Sequence, residues 1–154
     1  MALMAQAKKK VLVVEDNAHW RKLLTMVIQR SGYEVLQAAD GIEAIEKATA
    51  ARPDLILMDL GLPKMTGDAA TAVLKANPAT RDIPVVIQTA YTFTENAVTA
   101  GAAEILQKPI ELTEIERVLC KYLSLQDSGT QSPAGRESQR TRMITRPARE
   151  TSGL

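Results

Sequence analysis

Five residues carry the chemistry of this chain: Glu15, Asp16, Asp59, Thr89 and Lys108. Asp59 ends the apolar run Leu55-Ile56-Leu57-Met58, which Pro53-Asp54 and Gly61 bound on either side. That pattern reads as a buried strand with a carboxylate at its C-terminal mouth. Glu15 and Asp16 end a second such run, Val11-Leu12-Val13-Val14. Three carboxylates in one partly buried pocket repel by several kcal/mol and call for a cation. All-oxygen ligands select a hard divalent ion, and a site that keeps several waters suits Mg²⁺ better than a Ca²⁺ cage. Thr89 and Lys108 stand at the C-terminal ends of two later strands. A hydroxyl and an ammonium facing acids are what a transferred phosphoryl group needs, because its oxygens require donors and positive charge. A carboxylate is also a competent nucleophile toward phosphorus, giving an acyl phosphate. Singly, each residue has an ordinary explanation: an acid that caps a helix or points into water, a surface lysine, a threonine chosen for β propensity. The set favours chemistry.

The elements that must position these residues follow from periodicity. Val11–Val14 is a central strand, and Asn17 is placed to cap a helix whose apolar positions are Trp20, Leu23, Leu24, Val27 and Ile28. Ser31-Gly32 stops it. A second strand covers 33–38, and Asp40 caps a helix to about Ala51 with Ile42 and Ile45 facing inward. After the Asp59 strand comes a Pro/Gly loop, 61–67, and a helix from about Asp68 to Ala76. The fourth strand is 84–89, a short helical stretch lies near 94–100, and a fifth strand, 103–107, is closed by Lys108-Pro109, a step suited to a fixed turn with a cis bond. The last helix spans about 112–125, with Thr113-x-x-Glu116 as a capping box and Leu112, Ile115, Val118, Leu119, Tyr122 and Leu123 as its apolar stripe. Strand and helix alternate throughout, which implies right-handed crossovers and a doubly wound, flavodoxin-like α/β fold of five parallel strands and five helices, and the order known for such sheets of this size is 2-1-3-4-5. That order makes the first and third strands neighbours and brings Glu15, Asp16 and Asp59 together.

Composition narrows the function classes. The chain has 154 residues, enough for one domain with a core, and its net charge of +1 exerts no whole-molecule pull on nucleic acid. The single cysteine, Cys120, excludes an intrachain disulfide and fits a reducing compartment. No apolar stretch is long enough to span a bilayer, and the Lys8-Lys9-Lys10 run follows the mildly apolar start rather than preceding it, the wrong order for a secretory signal. A cytoplasmic protein is expected. Residues 1–9 read as a flexible N-terminus, 10–125 as the domain, and 126–154 as a disordered polar tail whose five arginines face three acids.

The chain resembles the receiver domains of bacterial two-component response regulators over about residues 10–125. The resemblance rests on Val11-Leu12-Val13-Val14-Glu15-Asp16-Asn17, on 53–67 with Asp59 at its centre, on Ile83-Pro84-Val85-Val86-Ile87-Gln88-Thr89-Ala90, on Ala100-Gly101-Ala102 and on Lys108-Pro109, in order and at near-family spacing. It implies that Asp59 accepts a phosphoryl group, that Glu15 and Asp16 hold Mg²⁺ beside it, that the backbone carbonyl of Gly61 completes the protein ligands, and that Thr89 and Lys108 contact the phosphoryl oxygens. The implied donor is a phosphohistidine on a histidine kinase or a histidine phosphotransfer protein. The implied role is a phosphoacceptor signalling domain, not a turnover enzyme. Residues 126–154 are too few and too polar for a DNA-binding output domain, so a stand-alone regulator acting through an unknown downstream protein is expected, as a monomer or weak dimer. Two departures stand out. Ile105 occupies a position where many members carry an aromatic switch residue, which leaves a switch without that ring or with Tyr91 or Phe93 in its place. The 89–101 segment is also short, so the fourth helix is expected to be short.

Three other functions compete. A flavodoxin-type FMN carrier needs a Ser/Thr/Gly-rich phosphate loop where Glu15-Asp16 stands. An aspartyl phosphohydrolase wants a second acid two residues after the nucleophile, where Gly61 stands. A degenerate receiver, binding partners without phosphorylation, has the five retained residues against it, while Ile105 and the short fourth helix leave it open. His19 lacks a second histidine and reads as a surface or packing residue. Met26, Met58 and Met65 read as core filler, and Cys120 as structural.

Overall fold

The computed structural model describes residues 7–92 and 95–124. The expected tail at 126–154, the end of the last helix at Leu125, Phe93 and the first six residues of the N-terminus lie outside the described residues. Ten elements alternate: β1 (Lys10–Val14), α1 (Ala18–Arg30), β2 (Glu34–Ala38), α2 (Gly41–Ala51), β3 (Leu55–Asp59), α3 (Gly67–Ala76), β4 (Val85–Thr89), α4 (Glu95–Ala100), β5 (Glu104–Gln107) and α5 (Leu112–Leu119), with a π-helical turn at Cys120–Ser124. The strands form one parallel sheet in the order β2-β1-β3-β4-β5. This is the doubly wound arrangement expected from the alternation.

Each sheet face has its own core. Val11, Val13, Leu55, Leu57 and Val86 meet Leu24 and Ile28 of α1 and Ile115, Val118 and Leu119 of α5. Leu12, Val14, Ile56, Met58, Val85 and Ile87 meet Ala44 and Ala48 of α2, Ala70 and Leu74 of α3 and Ala97 of α4. Successive residues of a strand point to opposite faces, and here both are covered, which is why β1, β3 and β4 read as continuous apolar runs.

The caps at Asn17 and Asp40 form as expected: Trp20 N donates to Asn17 Oδ1 at 2.9 Å and Glu43 N to Asp40 Oδ1 at 2.8 Å. Several expectations need correction. The cap of α5 is Glu111, which makes no side-chain capping bond, so Thr113 lies inside the first turn and the proposed box does not form. Beyond Leu119 the helix widens into its π turn instead of continuing as α. Leu23, Ile42 and Leu112, expected inward, are 40%, 44% and 43% exposed. The alanines of α2 take the buried side that Ile42 was expected to fill. Met26 is also exposed and Cys120 lies at the surface, whereas Met58 is fully buried. At the N-terminus, Lys9 is tied to the sheet through its carbonyl, which accepts from Glu34 N at 2.9 Å. Among the described residues no helix is long and apolar enough to cross a membrane.

Candidate functional site

The site sits where β1 and β3 run side by side. Val14 is in register with Met58, so Glu15 and Asp59, each one residue further on, leave adjacent strands at the same level. The ladder continues past the strand ends: Glu15 N donates to Ala38 O at 3.0 Å and Leu60 N to Gln88 O at 3.0 Å. One carboxylate oxygen from each of Glu15, Asp16 and Asp59 lies within 4.8 Å of the others. Glu15 and Asp59 are buried at 1% and 7% exposure, while Asp16 is exposed.

Lys108 reaches into this cluster from the end of β5. Its Nζ stands 3.2 Å from Asp59 Oδ1 and 3.5 Å from Glu15 Oε1. The Lys108–Pro109 bond is cis, and Lys108 N donates to Thr89 O at 2.7 Å. Glu15 is further held by Asn17 N, which donates to its Oε2 at 3.1 Å. Burial away from water pushes the Glu15 carboxyl up to about 7; the Asn17 bond opposes this, Asp59 adds to it, and Lys108 offsets part. A carboxyl lifted this far by burial and a neighbouring acid marks a pocket with more negative charge than its single ammonium balances. The oxygen-only donor set therefore fits a hard divalent cation.

The backbone under Asp59 is fixed by close approach. A Cβ on Gly67 would lie 2.2 Å from Asp59 O, so only glycine lets α3 start directly against the acid. Gly67 N donates to Leu60 O at 2.9 Å, and Thr71 Oγ1 donates to Gly67 O at 2.7 Å.

Thr89 ends β4, buried at 1% exposure, and its hydroxyl accepts from Tyr91 N at 2.9 Å. The hydroxyl proton remains available to donate. Gly61 follows Asp59 by two residues in an exposed loop, and a Cβ there would be 3.6 Å from the Tyr91 ring. Tyr91 is 60% exposed. Ile105 is half-buried on the α2–α4 face, in register with Ile87. As expected, α4 is short, with six residues.

Two residues about the site, Arg21 and Gln88, were not singled out from sequence, and Trp20 was read only as an apolar helix position. Arg21 Nη1 donates to Glu15 O at 2.7 Å and its Nε to Gln37 Oε1 at 3.1 Å. Gln88 stands beside Asp59 in register and accepts a bond from Trp20 Nε1 at 3.2 Å. The available signal was a glutamine inside an otherwise apolar strand. A cavity of about 340 Å³ opens next to the acids, lined by Glu15, Asn17, Trp20, Lys108, Pro109 and Ile110.

Comparison with known proteins agrees with the fold. The family model for the response regulator receiver domain matches residues 11–119. The chain belongs to that family, the receiver domains of two-component signal transduction. It is 38% identical over 118 residues to the polar-differentiation response regulator DivK of Brucella anthropi, covering 75% of this chain and 96% of DivK. Among solved structures it is similar to the receiver domain of the sensor histidine kinase PA1611 from Pseudomonas aeruginosa, which holds a magnesium ion in its active site cleft (TM-score 0.71, 34% identity, covering 77% of this chain and 99% of that one). It is also similar to the chemotaxis protein CheY4 of Vibrio cholerae (TM-score 0.71, 32% identity, covering 76% of this chain and 100% of CheY4).

Proposed function

We propose that Asp59 accepts a phosphoryl group from a phosphohistidine on a histidine kinase or histidine phosphotransfer protein, and that the domain then signals by protein–protein contact. The observation that carries this reading is the Lys108 ammonium 3.2 Å from a buried Asp59 carboxylate that shares its pocket with Glu15 and Asp16. A carboxylate oxygen of Asp59 attacks phosphorus, the P–N bond breaks, and the imidazole leaves with the electron pair and takes up a proton. The product is an acyl phosphate. Lys108 neutralises charge on the phosphoryl oxygens, and the Thr89 hydroxyl donates to one of them while still accepting from Tyr91 N.

Glu15, Asp16, Asp59 and the Gly61 carbonyl are the groups that would hold Mg²⁺, with a magnesium-bearing receiver among the similar structures in support. The ion supplies positive charge against the acids and the transferring oxygens. Arg21 and Asn17 hold Glu15 in place for that role. Incubation with acetyl phosphate and Mg²⁺ should label the protein on one residue. Asp59→Asn should abolish the label and Lys108→Ala should reduce it strongly. Labelling of Asp59→Asn at the wild-type level would overturn the assignment.

A further inference from the structure

We propose that Gln88 is a positioning residue of this site and that its bond to Trp20 changes with the state of Asp59; this rests on Asp59 being the phosphoacceptor. Gln88 is 2% exposed and is the register partner of Asp59. Alternation along the strands puts both side chains on the face of Leu57 and Val86, the face that α1 and α5 cover. Same-face neighbours on adjacent strands have Cβ atoms about 5 Å apart, so the amide and the carboxylate lie within a rotamer change of each other.

The amide orientation is set by Trp20. An indole N–H only donates, so the oxygen of Gln88 faces it and the –NH₂ faces away. That Nε2 is the one buried side-chain nitrogen or oxygen without a hydrogen-bond partner among the described residues. A buried donor left unpaired is destabilising, a penalty that methionine or leucine at this position would not incur. An orphan donor beside an acid site is suited to an acceptor that arrives there.

Phosphorylation supplies that acceptor. Lys108, now between Asp59 and Glu15, is drawn to the phosphoryl oxygens, and the remaining carbonyl oxygen of Asp59 is left needing a donor. The Gln88 amide turns to it, and its oxygen leaves Trp20. The Trp20 ring lines the cavity with Asn17, Pro109 and Ile110, so the change reaches the surface between α1 and the turn after β5. Ile105 lies on the opposite face of the sheet, so this route needs no aromatic at that position.

The test is NMR of the full chain with Mg²⁺ and beryllofluoride, a phosphoryl mimic. Trp20 is the single tryptophan, so its indole N–H resonance is unambiguous. On loading, it should move by more than a linewidth together with the Thr89 amide. In Gln88→Met, which keeps the length and removes the polar groups, the Thr89 amide should still move and the indole resonance should not. An indole signal that stays fixed while Thr89 moves, or that moves as far in Gln88→Met, overturns the proposal. If the Thr89 amide is also unmoved, the phosphoacceptor reading falls and takes the proposal with it. Trp20→Phe gives a second arm should Gln88→Met fail to fold. There the Gln88 –NH₂ resonances should begin nearer their loaded positions, and an unchanged starting position counts against the link.

Discussion

The two faces of the sheet are packed with different kinds of residue. The α1/α5 face is filled by large side chains from the helices, Leu24, Ile28, Ile115 and Leu119. The α2–α4 face takes mainly alanines from its helices, Ala44, Ala48, Ala70 and Ala97. Small residues let those helices sit close. Gly41 and Gly67 extend this to the first residues of α2 and α3, where a Cβ would come within 2.3 Å of Met65 O and 2.2 Å of Asp59 O respectively. The tight face therefore fixes the backbone of Asp59. The roomier face carries the groups that act around it, Glu15, Lys108, Gln88 and Trp20, and opens into the cavity beside them. One face holds the Asp59 backbone closely, and the other leaves a cavity beside its carboxyl.

Opposite volume changes on the two faces offer the most direct way to break this comparison. Leu24→Ala on α1 should cost about 2–5 kcal/mol, the range for emptying a fully buried leucine site. Ala70→Leu on α3 should cost about 1–3 kcal/mol, because the overpacked helix has to move off the sheet. Urea denaturation reads both, and an Ala70→Leu protein as stable as the parent would show that the second face is not tight.

A pH series sharpens the comparison at the acids. The folded-state carboxyl of Glu15 lies near 7, above its ordinary 4.5, so folding favours its protonated form. Its contribution is fully present below about pH 4.5 and is lost as pH rises through about 7. Without metal, the protein should lose on the order of 3 kcal/mol across that window. Glu15→Gln should remove that slope, and added Mg²⁺ should restore stability at pH 8 in the parent but less in Glu15→Gln. A parent curve that rises from pH 5 to pH 8 without metal would contradict the buried-acid account.

The smallest effect belongs to the outer side of α5. Glu104 accepts from Arg117 and, at 3.0 Å, from Tyr122 Oη, and it lies 3.3 Å from Lys121 Nζ. Arg117 is nearly half exposed, so Arg117→Ala should shift stability by less than about 1 kcal/mol and leave phosphorylation unchanged. A larger loss by urea denaturation would make this cluster part of the α5 packing rather than a solvated rim.

Much of this was legible before the structure. Apolar runs leading to Glu15, Asp59 and Thr89 marked buried strands with polar mouths, a more mixed strand led to Lys108, and Asn17 and Asp40 marked helix starts through local bonds three residues long. Helix faces were read less well. A 3.6-residue stripe gives a direction only to within the width of the stripe, so Leu23, Ile42 and Leu112 fell on its exposed margin. Gln88 passed as a strand residue because its partner, Trp20, is 68 positions away.

The sequence by itself determined the alternation of elements, the caps, the glycines and the residue types at each strand end, because periodicity, capping and turn chemistry act over a few neighbouring positions. Tertiary structure decided what those ends do together. Parallel register set Glu15 beside Asp59 and brought Lys108 to both, across 93 positions in the case of Glu15. Burial lifted the Glu15 carboxyl and, among the described residues, left one buried side-chain nitrogen, Gln88 Nε2, without a partner. Desolvation and contact depend on what packs around a group, and no local pattern contains that.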